Sequence, residues 1–249
     1  MRIPRIYQPI SLHSGQTVTL DAQATVHLTK VLRLRLGDAL VVFNGRGGEF
    51  TARVRAVERR AACIEVGEFV AHEVESPLDL VLLQGVSRGE RMDYTVQKAV
   101  ELGVTHIVPL QTERTVVNLN AERQARRREH WQAVVNSACE QSGRNRVPAV
   151  APVTAFADGV TMAAQGLKLV LHHRAETRLQ ALSPQQGPVT LLIGPEGGLS
   201  PAEIALAEAA GFVPLRLGPR VMRTETAAVA AMAVLQWQWG DFSAADDGQ

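Results

Sequence analysis

The larger, C-terminal part of the chain alternates between apolar runs of strand length and helical stretches, and this alternation constrains the fold most. Residues 78–84 (LDLVLLQ) are almost all apolar, as is typical of a strand covered on both faces. Helices are predicted over residues 91–102 and 121–142, and further strands over 105–110 and 167–172. This βαβα order predicts an α/β fold, a parallel sheet with helices on both faces.

The first seventy residues have a different pattern, in which short strands are separated by turns. The predicted strands cover residues 17–20, 39–43, 49–57 and 62–66. An Asn- and Gly-rich turn at 44–48 and a helix at 27–33 interrupt them. A small, largely β barrel is the simplest fold for this part. A polar connector at 71–77 divides the chain into predicted domains at 1–72 and 73–249.

The charge is distributed unevenly between these two parts. Residues 1–72 contain ten Arg or Lys against six Asp or Glu, whereas residues 73–249 contain sixteen against nineteen. A basic small domain indicates a polyanionic partner. Of the 26 basic residues 23 are Arg, which suits contacts with phosphates or bases. A genome that favours Arg codons is the alternative explanation.

Several classes of protein are disfavoured by the sequence. No apolar run approaches the ~20 residues that span a bilayer, and the N-terminus does not resemble a signal peptide. Cys63 and Cys139 make no disulfide framework, so we expect two buried thiols in a cytoplasmic protein. His172 and His173 are adjacent, but no third ligand is placed to complete a metal site, so no metal is predicted.

A glycine-rich loop follows the strand that begins the segment LLIGPEGGLSPAEI (191–204). Ser200 and Glu203 form a capping box with Pro201 between them, which predicts a helix start at this point. The preceding residues 194–198 (GPEGG) therefore connect a strand to a helix, where glycines let the backbone approach a ligand. The loop lacks the lysine of a phosphate-binding P-loop and the GxGxxG spacing of a dinucleotide site.

A second loop of this kind lies within LRLGPRVMRTETAAVAA (215–231). Two such loops side by side at the carboxyl edge of a sheet predict a ligand site. The second loop leads into Arg223 and Glu225, directly before an Ala-rich helix. These two residues are either reactive groups or part of a helix start, with Thr224 or Thr226 as N-cap and Glu225 as favourable first-turn charge. The helix-start reading explains Arg223 poorly.

Five segments together resemble one known family. They are HLTKVLRLRLGD, KAVELGV, EQSGR, GPEGGLSPAEI and LGPRVMRTETAA. In this order they are similar to the RsmE family of 16S ribosomal RNA uridine N3-methyltransferases, in the SPOUT superfamily, across nearly the whole chain. The resemblance implies an N-terminal PUA-like β-barrel that binds RNA and a C-terminal α/β domain with a deep trefoil knot. It also implies a homodimer that uses S-adenosylmethionine to methylate N3 of U1498 in the 30S subunit.

The resemblance also implies roles for individual residues. The cofactor would contact Leu171, His172, Gly194, Glu196, Gly197, Gly198, Leu217, Gly218, Val221, Met222, Arg223 and Thr226. RNA would be bound by Lys30, Arg33, Arg35, Arg88, Gln141 and Arg144. Arg223 and Glu225 would be catalytic. Family members often have proline at the position of His173, so this chain departs from the pattern there.

Two other functions compete with methyl transfer. A non-catalytic RNA-binding ribosome assembly factor could keep the same fold, although a degraded cofactor loop would then be expected and both loops are intact. A nucleotide-hydrolysing enzyme could use GPEGG as a phosphate loop, but the missing lysine argues against it.

Overall fold

The computed structural model describes residues 3–58, 61–115, 120–183 and 187–243. The chain divides into two compact units. The first unit contains residues 1–75 together with 136–147, and the second contains residues 76–135 together with 148–249.

The first unit is built on a five-stranded mixed sheet. Its strands are β1 (Arg5–Tyr7), β2 (Thr17–Thr19), β3 (Ala39–Phe43), β4 (Glu49–Val57) and β5 (Ala62–Val70). Their order in the sheet is β1-β3-β4-β5-β2, with β1 parallel to β3 and the other pairs antiparallel. The predicted bounds of β3 and β4 are confirmed. Inward-facing residues such as Leu40, Val54 and Ile64 are almost completely buried and form the core of this unit.

The helical segment of the first unit begins earlier than predicted. Helix α1 covers Ala22–Val26 and continues as a π-helical turn over His27–Val31. Asp21 caps α1, since its Oδ1 accepts a 2.8 Å hydrogen bond from the backbone N–H of Ala24. The prediction of a helix over 27–33 was therefore wrong at its start, because this Asp cap was not recognised.

The second unit contains a parallel sheet. Its strands are β6 (Leu80–Gly85), β7 (His106–Gln111), β8 (Ala149–Val150), β9 (Thr154–Ala155), β10 (Leu167–Leu171), β11 (Val189–Ile193) and β12 (Val213–Leu215). The order is β12-β10-β11-β6-β7-β8, and β9 also pairs with β7. Every pair in this sheet is parallel, which confirms the α/β prediction for this part of the chain.

Four helices of the described residues connect these strands, and a further one, α6, follows the last strand. They are α2 (Glu90–Glu101), α3 (Ala121–Ser142), α4 (Phe156–Thr161), α5 (Pro201–Ala209) and α6 (Thr224–Trp239). Helix α2 packs against α6, and α4 packs against α5. The end of α3 belongs to the first unit. Among the helices of the described residues, none combines the length and apolar character that a membrane span needs.

The starts of α5 and α6 differ in how they are capped. Ser200 and Glu203 form the predicted capping box at α5. At α6, however, Arg223 occupies the N-cap position and makes no side-chain capping hydrogen bond. The reading of Thr224 or Thr226 as the N-cap is wrong, because Thr224 is already the first helical residue.

The two cysteines also differ. Neither forms a disulfide, and Cys139 is buried as predicted, whereas Cys63 is only partly buried. Cys63 lies on β5, where its side chain contacts the hydroxyl of Thr19. The expectation that both thiols are buried was therefore wrong for Cys63.

Candidate cofactor and catalytic site

A cavity of about 490 Å³ lies at the carboxyl ends of β10, β11 and β12. This volume is within the range of roughly 300–1,000 Å³ that is usual for small-molecule sites. Three loops surround it, each beginning where one of the strands ends. The two glycine-rich loops of the sequence therefore meet at the same edge of the sheet, as predicted, and the loop after β10 provides the third wall.

The first loop, residues 194–199, passes very close to the end of β6, where position 85 has to be glycine. A Cβ atom on Gly85, the last residue of β6, would lie 2.5 Å from Cδ and 2.6 Å from the backbone N of Pro195. Gly198 has a φ of +68°, which L side chains rarely adopt. There is thus no room for a side chain at Gly85, whereas Gly198 is needed for its backbone conformation.

The second loop runs from the end of β12 to α6. Gly218 turns the chain with a φ of +69°. Val221 and Met222 line the cavity, and Val221 is 77% exposed. These apolar side chains beside exposed backbone groups can provide the wall for a planar ring.

A buried hydrogen-bond chain joins the two loops. The hydroxyl of Thr224 donates a 2.6 Å hydrogen bond to the carbonyl oxygen of Gly194. Nε2 of Gln84 donates to the same hydroxyl at 3.0 Å. Thr224 and Gln84 are both buried, so these bonds are shielded from water. The start of α6 is thereby fixed against the first loop and the end of β6.

The third wall consists of Leu171, His172 and His173. The backbone N–H of His172 donates a 3.0 Å hydrogen bond to the carbonyl oxygen of Leu215, which ties this wall to β12. The pKa of His172 is lowered because burial disfavours the imidazolium, and the nearby His173 and Arg174 add to the effect. His172 therefore presents a neutral imidazole at neutral pH.

Glu196 in the first loop is held by several donors. Its Oε1 accepts hydrogen bonds from the backbone N–H of Arg88 at 2.8 Å and from Nη1 of Arg91 at 3.0 Å. Burial acts to raise the pKa of Glu196, but the backbone N–H groups and the Arg91 guanidinium outweigh it and lower the pKa below its ordinary value. Glu196 is therefore a fixed anion and a poor proton acceptor.

Glu225, in the first turn of α6, has a different environment. Its side chain is 17% exposed, and its Oε1 lies 4.0 Å from Nε of Arg91. Its Oε2 is buried and has no hydrogen-bond partner among the residues that the structure describes. A buried carboxylate oxygen without a donor costs free energy, so this atom is available to a group that carries a proton.

Most of the residues singled out for the cofactor surround this cavity. Those that line it are Leu171, His172, Gly194, Glu196, Gly197, Gly198, Leu217, Gly218, Val221, Met222 and Arg223, together with Glu225. Thr226 is exposed and is not among the lining residues, so we do not retain it as a cofactor contact. Thr224, two residues earlier, lines the cavity instead.

Sequence reasoning did not assign Arg91, Arg114, Arg216 or Arg220 to the cavity, and the first two of these come from distant parts of the chain. Arg91 comes from α2, and Arg114 follows β7 and donates from Nη1 to the carbonyl oxygen of Gly197 at 3.0 Å. They lie 105 and 83 positions away from the residues they bind, so no local pattern links them to the glycine-rich loop. The parallel order of β6, β7 and β11 could have indicated that the loops after these strands meet.

The residues predicted to bind RNA differ in exposure. Lys30, Arg33 and Arg35 are exposed in the first unit, and Arg33 has a φ of +56°. Gln141 is exposed in the first unit and Arg88 in the second.

The prediction that Arg144 binds RNA is corrected by the structure. Its side chain is 5% exposed, and its Nη2 lies 2.6 Å from Oε2 of Glu75 within the first unit. A guanidinium committed to a buried ion pair is not available to a phosphate, so Arg144 has a structural role.

Comparison with known proteins identifies the family of the chain. Residues 74–236 match the family described as an RNA methyltransferase domain, and residues 20–67 match the RNA methyltransferase PUA domain. Ribosomal RNA small subunit methyltransferase E of Buchnera aphidicola subsp. Schizaphis graminum is 35% identical, over 97% of this chain and 99% of its own length.

Two solved structures resemble the whole chain. One is ribosomal RNA small subunit methyltransferase E from Neisseria gonorrhoeae bound to S-adenosyl methionine, with 40% identity and a TM-score of 0.90 over 97% of this chain and all of that one. The other is a methyltransferase from Legionella pneumophila in complex with SAM, with 41% identity and a TM-score of 0.94 over the same shares. The fold and the site thus define an RNA methyltransferase with a PUA domain. Within that class, the chain belongs to the ribosomal RNA small subunit methyltransferase E family.

Proposed function

We propose that this protein transfers a methyl group from S-adenosylmethionine to N3 of a uridine, U1498, in the 16S ribosomal RNA of the 30S subunit. The observation that carries the proposal is Oε2 of Glu225, which lies at the wall of a cavity formed by three loops and has no hydrogen-bond partner within the described part of the chain. A methyl transfer to N3 needs a site for the cofactor and a group that takes the N3 proton, and this cavity offers both.

The residues of the cavity fit S-adenosylmethionine. Glycines in both loops leave backbone groups open to the ligand, and Val221 and Met222 offer apolar surface for an adenine ring. Glu196 is an anion, so it suits the ribose hydroxyls or the positive charge of the ligand rather than a phosphate. When bound, S-adenosylmethionine supplies an electrophilic methyl group on a sulfonium.

Glu225 and Arg223 would act on the uracil. The N3–H of uracil is a weak acid, similar to a phenol, and must lose its proton for N3 to attack. Oε2 of Glu225, directly or through a water, accepts this proton. Arg223 is exposed at the rim of the cavity, where its guanidinium stabilises the negative charge that develops on the uracil oxygens. The two loops that line the cavity would orient the cofactor and the uracil for the displacement.

Substitution of these two residues tests the catalytic assignment. Glu225→Gln should lower the single-turnover rate on 30S particles by about 10²–10⁴-fold, the usual contribution of a general base. Arg223→Ala should lower it by about 10²–10³-fold. The affinity for S-adenosylmethionine, measured by calorimetry, should change much less in both variants. Glu122→Gln, an exposed carboxylate on α3, is the matched control and should transfer methyl groups at the wild-type rate. Unchanged rates in both site variants would contradict the assignment.

The same assay separates the two competing functions. A non-catalytic assembly factor would bind 30S particles without methylating them. A nucleotide hydrolase would bind ATP in calorimetric titrations, whereas we expect binding of S-adenosylmethionine and not of ATP.

We also propose that the basic N-terminal domain, predicted over residues 1–72, binds RNA and that the methyltransferase domain is the one predicted over 73–249. The compact units differ from these bounds, since the first extends to residue 75 and includes residues 136–147. Lys30, Arg33 and Arg35 are exposed on one short segment, which supports a contact with the phosphate backbone. Replacing all three by Ala should weaken 30S binding and reduce its dependence on salt. Unchanged binding would contradict this role.

We also infer a deep trefoil knot in the second unit. In the sheet, β10 lies between the edge strand β12 and β11. Thr224, nine residues after the end of β12, nevertheless bonds to Gly194, which directly follows β11. The connecting chain therefore has to cross the end of β10, and on its way the N–H of Arg216 bonds to the carbonyl oxygen of Thr177 in the loop after β10. Passage of the chain through that loop would produce the knot. A crystal structure traced through all three loops tests this inference.

A homodimer in the cytoplasm is the proposed working form. Val234 and Trp237 on α6 are 40% and 62% exposed, which leaves apolar surface for a second copy. Sedimentation velocity at micromolar concentration should give the mass of a dimer. A monomer at this concentration would contradict the proposal.

A further inference from the structure

Arg91 lies between the two carboxylates of the cavity. Its Nη1 binds Oε1 of Glu196 at 3.0 Å, and its Nε lies 4.0 Å from Oε1 of Glu225. Glu196 belongs to the first loop and Glu225 to the start of α6, so one guanidinium from α2 connects both elements. None of the residue roles implied by the resemblance involves Arg91.

The two ion pairs are not equivalent. Glu196 is also held by the backbone N–H of Arg88 at 2.8 Å, so the carboxylate of this pair is fixed independently of Arg91. The contact to Glu225 is longer and engages Oε1 only, while Oε2 has no hydrogen-bond partner among the described residues. Glu196 therefore fixes the guanidinium, and the guanidinium in turn restrains one oxygen of Glu225.

We propose that Arg91 is a positioning residue, which is anchored by Glu196 and holds Oε1 of Glu225 so that Oε2 faces the uracil N3–H. This inference rests on the proposed function. In the step that it serves, the N3 proton passes to Oε2 of Glu225, and the N3 electron pair forms the new bond to the methyl carbon. The electron pair of the broken carbon–sulfur bond stays on sulfur, which becomes a neutral thioether.

An arginine that only bound RNA or stabilised the loop would behave differently. Loss of an RNA contact would raise KM for the particle and leave kcat unchanged. Loss of a loop contact would weaken cofactor binding. A positioning residue for Glu225 instead lowers the rate of the chemical step, and this effect disappears when Glu225 can no longer accept a proton.

The test is a double-mutant cycle on the full-length protein. Single-turnover methyl transfer to 30S particles that lack the modification would be measured for Arg91→Met, Glu225→Gln and the double variant. KM for the particle and the affinity for S-adenosylmethionine would be measured in parallel. Arg91→Lys keeps the positive charge but removes the planar guanidinium. Lys98→Met is the control, since it removes the cation of another ion pair on α2.

We expect Arg91→Met to lower the single-turnover rate by about 10–100-fold, because a misplaced general base loses only part of its contribution. The affinity for S-adenosylmethionine should change by less than about threefold. The double variant should be no slower than Glu225→Gln alone. Arg91→Lys should recover part of the rate, and Lys98→Met should keep it.

Three results would overturn the inference while leaving the proposed function intact. In the first, Arg91→Met transfers methyl groups at the wild-type rate. In the second, Arg91→Met changes only KM or the cofactor affinity. In the third, the rate loss of the double variant equals the product of the losses of the two single variants. A wild-type protein that binds the cofactor and the particle but transfers no methyl group would overturn the proposed function, and this inference with it.

Discussion

The hydroxyl of Thr224 donates a 2.6 Å hydrogen bond to the carbonyl oxygen of Gly194. This bond joins the first residue of α6 to the first residue of the glycine-rich loop, and Gln84 supports it from the end of β6. The candidate catalytic residues Arg223 and Glu225 flank Thr224, so their positions relative to the cofactor loop depend on it.

Thr224→Val removes this bond while keeping the shape of the side chain. Because the carbonyl of Gly194 loses a buried donor, we expect the free energy of unfolding to fall by about 1–3 kcal/mol. The affinity for S-adenosylmethionine should fall as well, since the two loops are no longer fixed together. Urea denaturation and calorimetric titration measure the two effects. Thr226→Val, at an exposed position of the same helix, is the comparison, and equal losses in both variants would contradict the role of Thr224.

Gly85→Ala should displace the glycine-rich loop. The added Cβ would lie 2.5 Å from Cδ of Pro195, which neither the strand nor the loop can accommodate without moving. Such overpacking typically costs about 1–3 kcal/mol, and we expect a similar loss of stability together with weaker cofactor binding. Wild-type affinity in a stably folded Gly85→Ala protein would show that the position of the loop does not control the site.

His172 should make cofactor binding depend on pH. Burial, His173 and Arg174 lower the pKa of His172, so the imidazole is neutral at pH 7.5 and becomes positively charged only on acidification. A positive charge in this wall opposes a sulfonium ligand, so affinity should fall as the pH is lowered from about 7.5 to about 5. His172→Asn cannot titrate and should weaken this dependence. Identical pH profiles for both proteins, measured by calorimetry, would contradict the prediction.

The two cysteines should react at different rates. Burial raises the pKa of Cys139 to about 12, and although Arg144 opposes this shift the thiol remains protonated at pH 8. Because the thiolate is the nucleophile, iodoacetamide should modify the partly exposed Cys63 in the native protein and Cys139 only after denaturation. Peptide mass spectrometry measures both sites. Labelling of native Cys139 as fast as Cys63 would contradict the buried environment of this residue.

Local sequence signals predicted much of the fold. Alternation and turn residues gave the bounds of β3 and β4, and the capping box at Ser200 gave the start of α5. These features depend on residues that are close in the chain. The parallel pairing of β1 with β3 was not predicted, because a three-residue strand carries too little periodicity to indicate its partner.

The candidate site was predictable only in part, for the same reason. The two loops could be recognised because each is a continuous segment, but the contribution of Arg91 depends on how α2 lies beside α6 and the loop after β11. The burial of Arg144 depends on a pair with Glu75, 69 residues earlier, which the local sequence around Arg144 does not reveal. Thr224 was read as a helix cap, whereas its hydroxyl bonds to the distant Gly194.

The most direct test of the central claim is methyl transfer to 30S particles from a strain that lacks the modification. Wild-type protein and the Glu225→Gln variant would be incubated with labelled S-adenosylmethionine, and the modified nucleotide would be identified by mass spectrometry. The account predicts 3-methyluridine at U1498 with wild-type protein, and a rate at least about 100-fold lower with Glu225→Gln at undiminished cofactor binding. A methyl group on another atom or nucleotide, or equal rates for the two proteins, would contradict it.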